Sequence, residues 1–154
     1  MKLSDGQKLA EEILKILHPF CEKVAIAGSI RRHKAEVHDV DLVLIPKPLV
    51  DIVGILQSKL GAKVEKRGSR IISLKINDVG VDLNLATKES FVPLLLFRTG
   101  SWQHNMKLAS KAKRLGLKFS PYGVFKNGKR VDDNTGEGIF KVLGEDYISP
   151  EERD

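Results

Sequence analysis

Residues 70–85, RIISLKINDVGVDLNL, carry two alternately apolar runs separated only by Asn77 and Asp78. Period-two alternation of β-branched residues marks strands, and a link of Asn and Asp, both tolerant of positive φ, folds two strands into a tight antiparallel hairpin. A lone hairpin is marginal in water, so this stretch obliges the chain to supply further strands and an apolar layer over one face. Three segments supply strands. VAIAG, residues 24–28, is a short β-branched run entering a tight turn; DLVLI, residues 41–45, is stopped by Pro46 and Pro48; residues 63–67 are a third extended piece.

The covering layer reads as helices. Ser4, three residues before Gln7, forms a capping-box start for an amphipathic helix with Leu9, Ile13, Ile16 and Leu17 at helical spacing, ended by Pro19. Helical spacing returns over residues 49–60, and Gly61 closes that helix. This order predicts an α+β fold, a mixed sheet with helices on one face. After Leu85, FVPLLLF and SWQHNMKLASKAKRLG read as two helices, the second with a basic last turn and Gly116 at its C-terminus. YGVFKNGKRV reads as a hairpin around Asn127-Gly128, and residues 137–143 as a short final helix. The division expected is a first lobe, 1–86, and a smaller second lobe, 87–154.

A chain of 154 residues can bury a core without disulfide or metal support. The single Cys21 has no partner in the chain, which indicates a reducing compartment, and His18, His33, His38 and His104 lack the spacing of a zinc site. No apolar stretch reaches the roughly 18 residues of a membrane span, and the N-terminus is not a secretory leader, so a soluble cytoplasmic protein is expected, with no membrane partner. Net charge is +6, and its distribution matters more than its size. Between Glu89 and Asp132 there is no acidic residue, whereas the interval holds Arg98, Lys107, Lys111, Lys113, Arg114, Lys118, Lys126, Lys129 and Arg130.

Asp39 and Asp41 stand where the 41–45 run should be apolar. On a strand both project from one side while Val40 and Leu42 project from the other. Carboxylates that close raise each other's pKa and weaken the fold unless positive charge lies between them. A divalent cation supplies it, since Mg²⁺ is usually held by one or two carboxylates together with substrate phosphates. A bare Asp-x-Asp also admits a plainer reading, with Asp39 capping a turn and Asp41 paired to an arginine.

The surroundings favour the cation. Gly28-Ser29 follows a strand at a turn where backbone N–H groups, a hydroxyl, Arg31 and Arg32 can converge on an anion, and Asp39 follows Ser29 by ten residues. Phosphates on that turn could thus be bridged by a cation to the aspartates, the positioning that phosphoryl transfer needs. Asp82 stands on the opposite face from Val79, Val81, Leu83 and Leu85 and offers a third carboxylate; with three, two cations about 3.5–4 Å apart can be held. An exposed strand aspartate is the plain alternative for Asp82.

Together these residues resemble the nucleotidyltransferase pattern: G-S-x-R-R from Gly28, D-x-D at Asp39 and Asp41, and a lone strand aspartate at Asp82. The stretch FRTGSWQHNMKLASKAKRLGLKFSPYGVFKNGK resembles the thumb of family X DNA polymerases, and YISPEERD their usual ending; the likeness runs from about Val24 onward. It implies a polymerase β-like palm over 1–86 and a thumb over 87–154. It also implies that Asp39, Asp41 and Asp82 hold two Mg²⁺ ions, or Mn²⁺ in their place, with Asp82 on the catalytic ion beside the primer 3′ hydroxyl. Gly28, Ser29 and Arg32 match the triphosphate contacts. Phe97, Arg98, Gly100 and Ser101 fall in the turn against the incoming sugar, where the family has a cis Gly-Ser peptide. Asn105 matches a contact to the base, and Lys107 lies near a residue approaching the template.

Some positions depart from the pattern. Arg98 stands where a second aromatic is usual, His38 where a glycine is usual, and Gly80 where some members have arginine. With one helix before the palm, neither a lyase domain nor a helix-hairpin-helix segment is expected, as in the reduced viral and microbial members. DNA would then be held by palm and thumb alone. Lys107, Lys111 and Arg114, at i, i+4 and i+7, share a helix face with Lys118 just beyond, while Lys126, Lys129 and Arg130 read equally as solvated. Trp102 could stack on a base, although a lone tryptophan at a helix start more often enters the core.

The function expected is template-directed DNA synthesis, with gapped or primer-template DNA and dNTP as partners, short-gap repair as the role and a monomer as the working unit. The alternatives are a template-independent terminal transferase, a small nucleotidyltransferase acting on RNA or protein, and a catalytically silent DNA-binding module.

Overall fold

The computed structural model describes all 154 residues. Helix α1 (Leu3–Leu17) starts at Lys2 without a side-chain cap, so the expected Ser4–Gln7 capping box does not form. The reason lies across the molecule. Leu3 N–H donates to Ala35 O at 3.0 Å and the terminal amine to Val37 O at 2.8 Å, so the segment at 35–37 answers the helix end. A 3-10 turn, His18–Phe20, then leads into β1 (Cys21–Ile26), α2 (Gly28–Arg31), β2 (Val40–Pro46) and α3 (Ile52–Leu60). Helix α3 begins later than its spacing suggested because the Asp51 carboxylate accepts from Gly54 N–H at 3.0 Å and fixes the start there.

Strands β3 (Lys63–Arg67), β4 (Ile71–Ile76) and β5 (Val79–Leu85) complete a five-stranded sheet in the order β1-β2-β5-β4-β3. Only β2 and β5 run parallel, which makes the sheet mixed. Asn77 and Asp78 have φ of 52° and 62°, the paired positive values of a tight hairpin, and this turn sets Ser73 opposite Asp82. Leu42, Leu44, Leu74, Ile76, Val81 and Leu83 line one sheet face and meet Leu9, Ile13 and Leu17 of α1 and Ile52 and Leu56 of α3 in the largest core. Each such side chain contributes roughly 1.5–3 kcal/mol by leaving water.

The second half comprises α4 (Phe91–Thr99), α5 (Trp102–Arg114), β6 (Lys118–Ser120), β7 (Gly123–Lys126), β8 (Lys129–Arg130), α6 (Gly136–Val142) and a 3-10 turn, Pro150–Glu152. The hairpin at Asn127-Gly128 is joined by β6 into a three-stranded sheet; three residues are too few for alternation to show in sequence. Helix α4 is apolar all round because it serves two cores. Phe91 packs with Val43 and Ile45 on the sheet face opposite α1, while Leu96 enters a separate core with Leu108, Phe119, Val124, Ile139 and Phe140. One end of the second sheet face is therefore covered by α4, and the other end, where Asp41 stands, borders a cleft.

Candidate active site

Asp41 belongs to β2 and Asp82 to β5, and the parallel pairing sets them directly opposite each other. Asp39 precedes β2 and reaches over the same strand: a Cβ added at Gly80, two residues before Asp82, would lie 2.5 Å from Asp39 Oδ1. The three acids thus approach one end of β5. Ser73 Oγ donates to Asp82 Oδ1 at 2.7 Å and fixes its orientation. Sequence reasoning passed over Ser73, although counting outward from the Asn77-Asp78 turn pairs it with Asp82.

The carboxyl of Asp41 is pushed up to about 6, chiefly by burial, then by the charges of Asp82 and Asp39; Arg98 and Arg32 pull the other way without prevailing. The side chains do not close into a ready-made set of three metal ligands. The donor chemistry nevertheless fits a hard cation: carboxylate oxygens, repelling one another and open on one side, as for an ion that shares its coordination with phosphate and water.

Opposite the acids, Gly28 opens α2 at φ +64°, and a Cβ there would strike the Asp41 carboxylate. Glycine is required both for the backbone conformation and for this approach. The first N–H groups of a helix lack intrahelical partners, so the turn offers donors next to the acids. Arg32 Nη1 donates to Thr99 O at 2.6 Å and Arg31 Nη1 to Thr99 Oγ1 at 2.7 Å, which ties this turn to the end of α4. Thr99 is a linking residue that the sequence did not single out. Arg32 Nε is buried without a partner.

A cavity of about 490 Å³, within the size range of a ligand site, joins the Gly28 turn to Asp39 and Asp41, whereas Asp82 is not part of its lining. Gly28, Ser29, Arg32, His38, Asp39, Asp41, Phe97, Arg98, Gly100 and Asn105 line it, which gathers most of the residues singled out from sequence, and Trp102 lines it too. Contrary to the core packing favoured for it, Trp102 is 71% exposed. Ser101 stands apart: its hydroxyl accepts from His104 N–H at 3.2 Å as the N-cap of α5, and the residue is buried. The Gly100–Ser101 peptide is cis. Asn105 Nδ2 donates to Phe97 O at 2.8 Å, leaving its Oδ1 without a partner.

None of the basic residues of α5 lines the cavity. Lys107, Arg114 and Lys118 are exposed, whereas Lys111 is half-buried with its Nζ 3.8 Å from Glu145 Oε1. His104, on the inner side of the helix, is buried against Phe140, and burial with nearby Arg153 and Lys107 lowers it to about 4. The C-terminus straps the two halves: Lys34 pairs with Asp154, His33 Nδ1 lies 3.6 Å from Glu151 Oε1, and Arg153 O accepts from Ser101 N–H at 3.4 Å.

This sheet, its aligned carboxylates and the adjoining glycine turn agree with the nucleotidyltransferase pattern that the sequence resembles. Residues 94–154 match the family model described as DNA polymerase beta thumb. The chain is 32% identical over 126 residues to the DNA polymerase/3′-5′ exonuclease PolX of Bacillus subtilis, covering 76% of this chain and 22% of that protein. It is 28% identical over 152 residues to the repair DNA polymerase X of African swine fever virus, covering 92% of this chain and 86% of the viral protein. A crystal structure of Leishmania infantum polymerase beta in a ternary P/T complex superposes with a TM-score of 0.82 at 23% identity, covering all of this chain and 76% of that one, and shares its fold. The chain is thus similar to family X DNA polymerases, and its residues 94–154 match their thumb.

Proposed function

We propose that this chain is a family X DNA polymerase that adds a deoxynucleotide to a primer 3′ hydroxyl under the direction of a template, in short-gap repair, inside the cell and as a monomer. The observation that carries the reading is the in-register pairing of Asp41 with Asp82 beside the Gly28 turn. Residues 1–86 act as palm and 87–154 as thumb, with α4 packed between their cores.

Asp39, Asp41 and Asp82 are the residues to hold two divalent ions, Mg²⁺ or Mn²⁺, which when bound supply activation of the attacking hydroxyl and neutralisation of the departing pyrophosphate. The Gly28-Ser29 turn and Arg32 hold the triphosphate by hydrogen bonds and charge. Ser73 holds the Asp82 carboxylate in place through its 2.7 Å bond. Asn105 and Arg98, which line the same cavity, contact the base and the sugar of the nucleotide in this reading. Lys107, Arg114 and Lys118, with a weaker contribution from the partly paired Lys111, offer phosphate contacts to gapped or primer-template duplex.

The test is primer extension by Asp82→Asn on a gapped duplex with each dNTP singly. Extension is expected to fall by at least about 10³-fold with the fold retained and the melting temperature not lowered, in line with loss of a principal electrostatic contact to the reacting atoms. Extension at the wild-type rate would remove Asp82 from the mechanism, and incorporation of all four nucleotides irrespective of template would favour a terminal transferase.

A further inference from the structure

A second cavity, of about 210 Å³, is walled by residues of α2, α4, the start of α6 and the C-terminal segment, and it shares none of them with the cavity around Asp39 and Asp41. Leu95 and Leu96 give it an apolar side, yet it also holds two arginines, Arg31 and Arg153. Arg153, 2% exposed, is the one lysine or arginine of the chain that is fully buried. Its Nε donates to Ile148 O at 2.9 Å, its guanidinium carbon lies 5.3 Å and 5.4 Å from the ring centres of Phe140 and Tyr147, and its Nη1 is buried with no hydrogen-bond partner. Arg31 Nη1 donates to Thr99 Oγ1 at 2.7 Å, and neither guanidinium takes part in an ion pair. Glu137 also lines the cavity but is exposed and pairs with neither arginine, and Glu151 lies 3.6 Å from His33 Nδ1.

A guanidinium keeps its charge at any physiological pH, so two of them drawn from water into one cavity without a counter-charge weaken the fold unless an anion joins them. Burial lowers the pKa of both, and for Arg153 the charge of Arg31 adds to the shift while Tyr147 opposes it. We propose that Arg31 and Arg153 hold a small inorganic oxyanion of the phosphate class in this cavity, as a counter-ion separate from the catalytic cleft. Planar N–H forks match the oxygens of such an ion, and the bonds are charge-assisted. The volume sets the size of the guest. It falls below the roughly 300–1,000 Å³ of sites for larger ligands, which excludes a nucleotide and admits one phosphate with a little water. The site also has a structural reach: Arg31 grips the Thr99 hydroxyl and Arg32 the Thr99 carbonyl, so an ion that fixes Arg31 steadies the Gly28 turn against the end of α4.

The experiment titrates inorganic phosphate into the full chain at pH 7.5 and constant ionic strength, without DNA or divalent ions. Nuclear magnetic resonance follows the Nε–H signals of Arg31, Arg32 and Arg153 and the backbone amides of Gly28, Ser29 and Gly136, and thermal unfolding is measured alongside. The expected result is a saturable shift of Arg31, Arg153 and Gly136 along one binding curve, with a rise in Tm that follows it, since the ion binds only the folded form. Arg31→Gln, which removes one charged fork, should weaken the Kd by about 10- to 100-fold. Glu137→Gln, which removes an exposed negative charge from the cavity wall, should tighten it by about 1.5- to 5-fold.

Wild-type signals of Arg31 and Arg153 that do not respond to phosphate would overturn the proposal. Shifts confined to Gly28, Ser29 and Arg32 would place the ion on the turn beside Asp41 and equally refute it, as would a Kd unchanged in Arg31→Gln. Glu137→Gln keeps the proposal open to refutation should Arg31→Gln fail to fold: a lower Tm without phosphate, or weaker phosphate binding, would make Glu137 the counter-charge of the two arginines and leave no place for an oxyanion. The proposal does not rest on the polymerase reading, and template-directed extension by the wild-type protein is untouched by any of these outcomes.

Discussion

Replacing Asp41 with asparagine should make the metal-free protein more stable while disabling it. The Asp41 carboxyl moves from 3.8 up to about 6 because it is buried beside Asp82 and Asp39. The folded state thus holds a proton there more tightly than the unfolded chain does. Stability contributed by the protonated form is fully present below about pH 3.8, declines as pH rises, and has been lost once pH passes about 6. Two pKa units correspond to about 3 kcal/mol as an upper bound. The site is partly open to solvent, and asparagine forgoes the attraction of Arg98 and Arg32, so a net gain of about 1–2 kcal/mol is expected at pH 7.5. For a chain of this size that raises Tm by roughly 2–8 °C.

Thermal unfolding followed by circular dichroism measures this directly, at pH 7.5 and again near pH 4, where the two proteins should converge. Added Mg²⁺ should stabilise the wild type by binding only the folded form, and Asp41→Asn distinctly less. A variant no more stable than wild type at pH 7.5, a difference that persists unchanged at pH 4, or an equal response to Mg²⁺ would refute the claim that these carboxylates repel one another in the absence of a cation.

Two other perturbations probe the second half of the chain. His104 is 3% exposed and its folded pKa is lowered to about 4, below the ordinary 6.5, so its stabilising contribution is full above about pH 6.5 and is lost as pH falls through about 4; His104→Phe, which keeps the ring against Phe140, should flatten that part of the stability profile, on the order of 2–3 kcal/mol, in denaturant titrations across the range. Lys107→Gln and Arg114→Gln should each weaken DNA binding uniformly across sequences and reduce the log–log salt slope by about 1 in anisotropy titrations, with Lys111→Gln doing less because its Nζ already faces Glu145; unchanged slopes would take α5 out of the DNA interface.

Sequence alone determined what depends on neighbours along the chain. The Asn77-Asp78 turn and the alternation on either side of it fix β4 against β5, and with them the partnership of Ser73 with Asp82. The same alternation places Asp82 on the face opposite Val81 and Leu83, because side-chain direction on a strand is a matter of covalent geometry. The glycine at position 28 likewise announces a turn that a side chain would obstruct.

Tertiary structure decided whatever joins segments distant in sequence. Asp41 and Asp82 face each other only because β2 and β5 pair in parallel, and no local preference specifies that register. Ser4 lost its capping role because residues 35–37 reached the helix end first, and Trp102 stayed in solvent because the core beneath α5 was filled by Leu108, Ala112 and Phe140. Local sterics choose the period and the turns, but which apolar surfaces meet, and which polar ends are left to form a cleft between them, is settled by the packing of the whole chain at once.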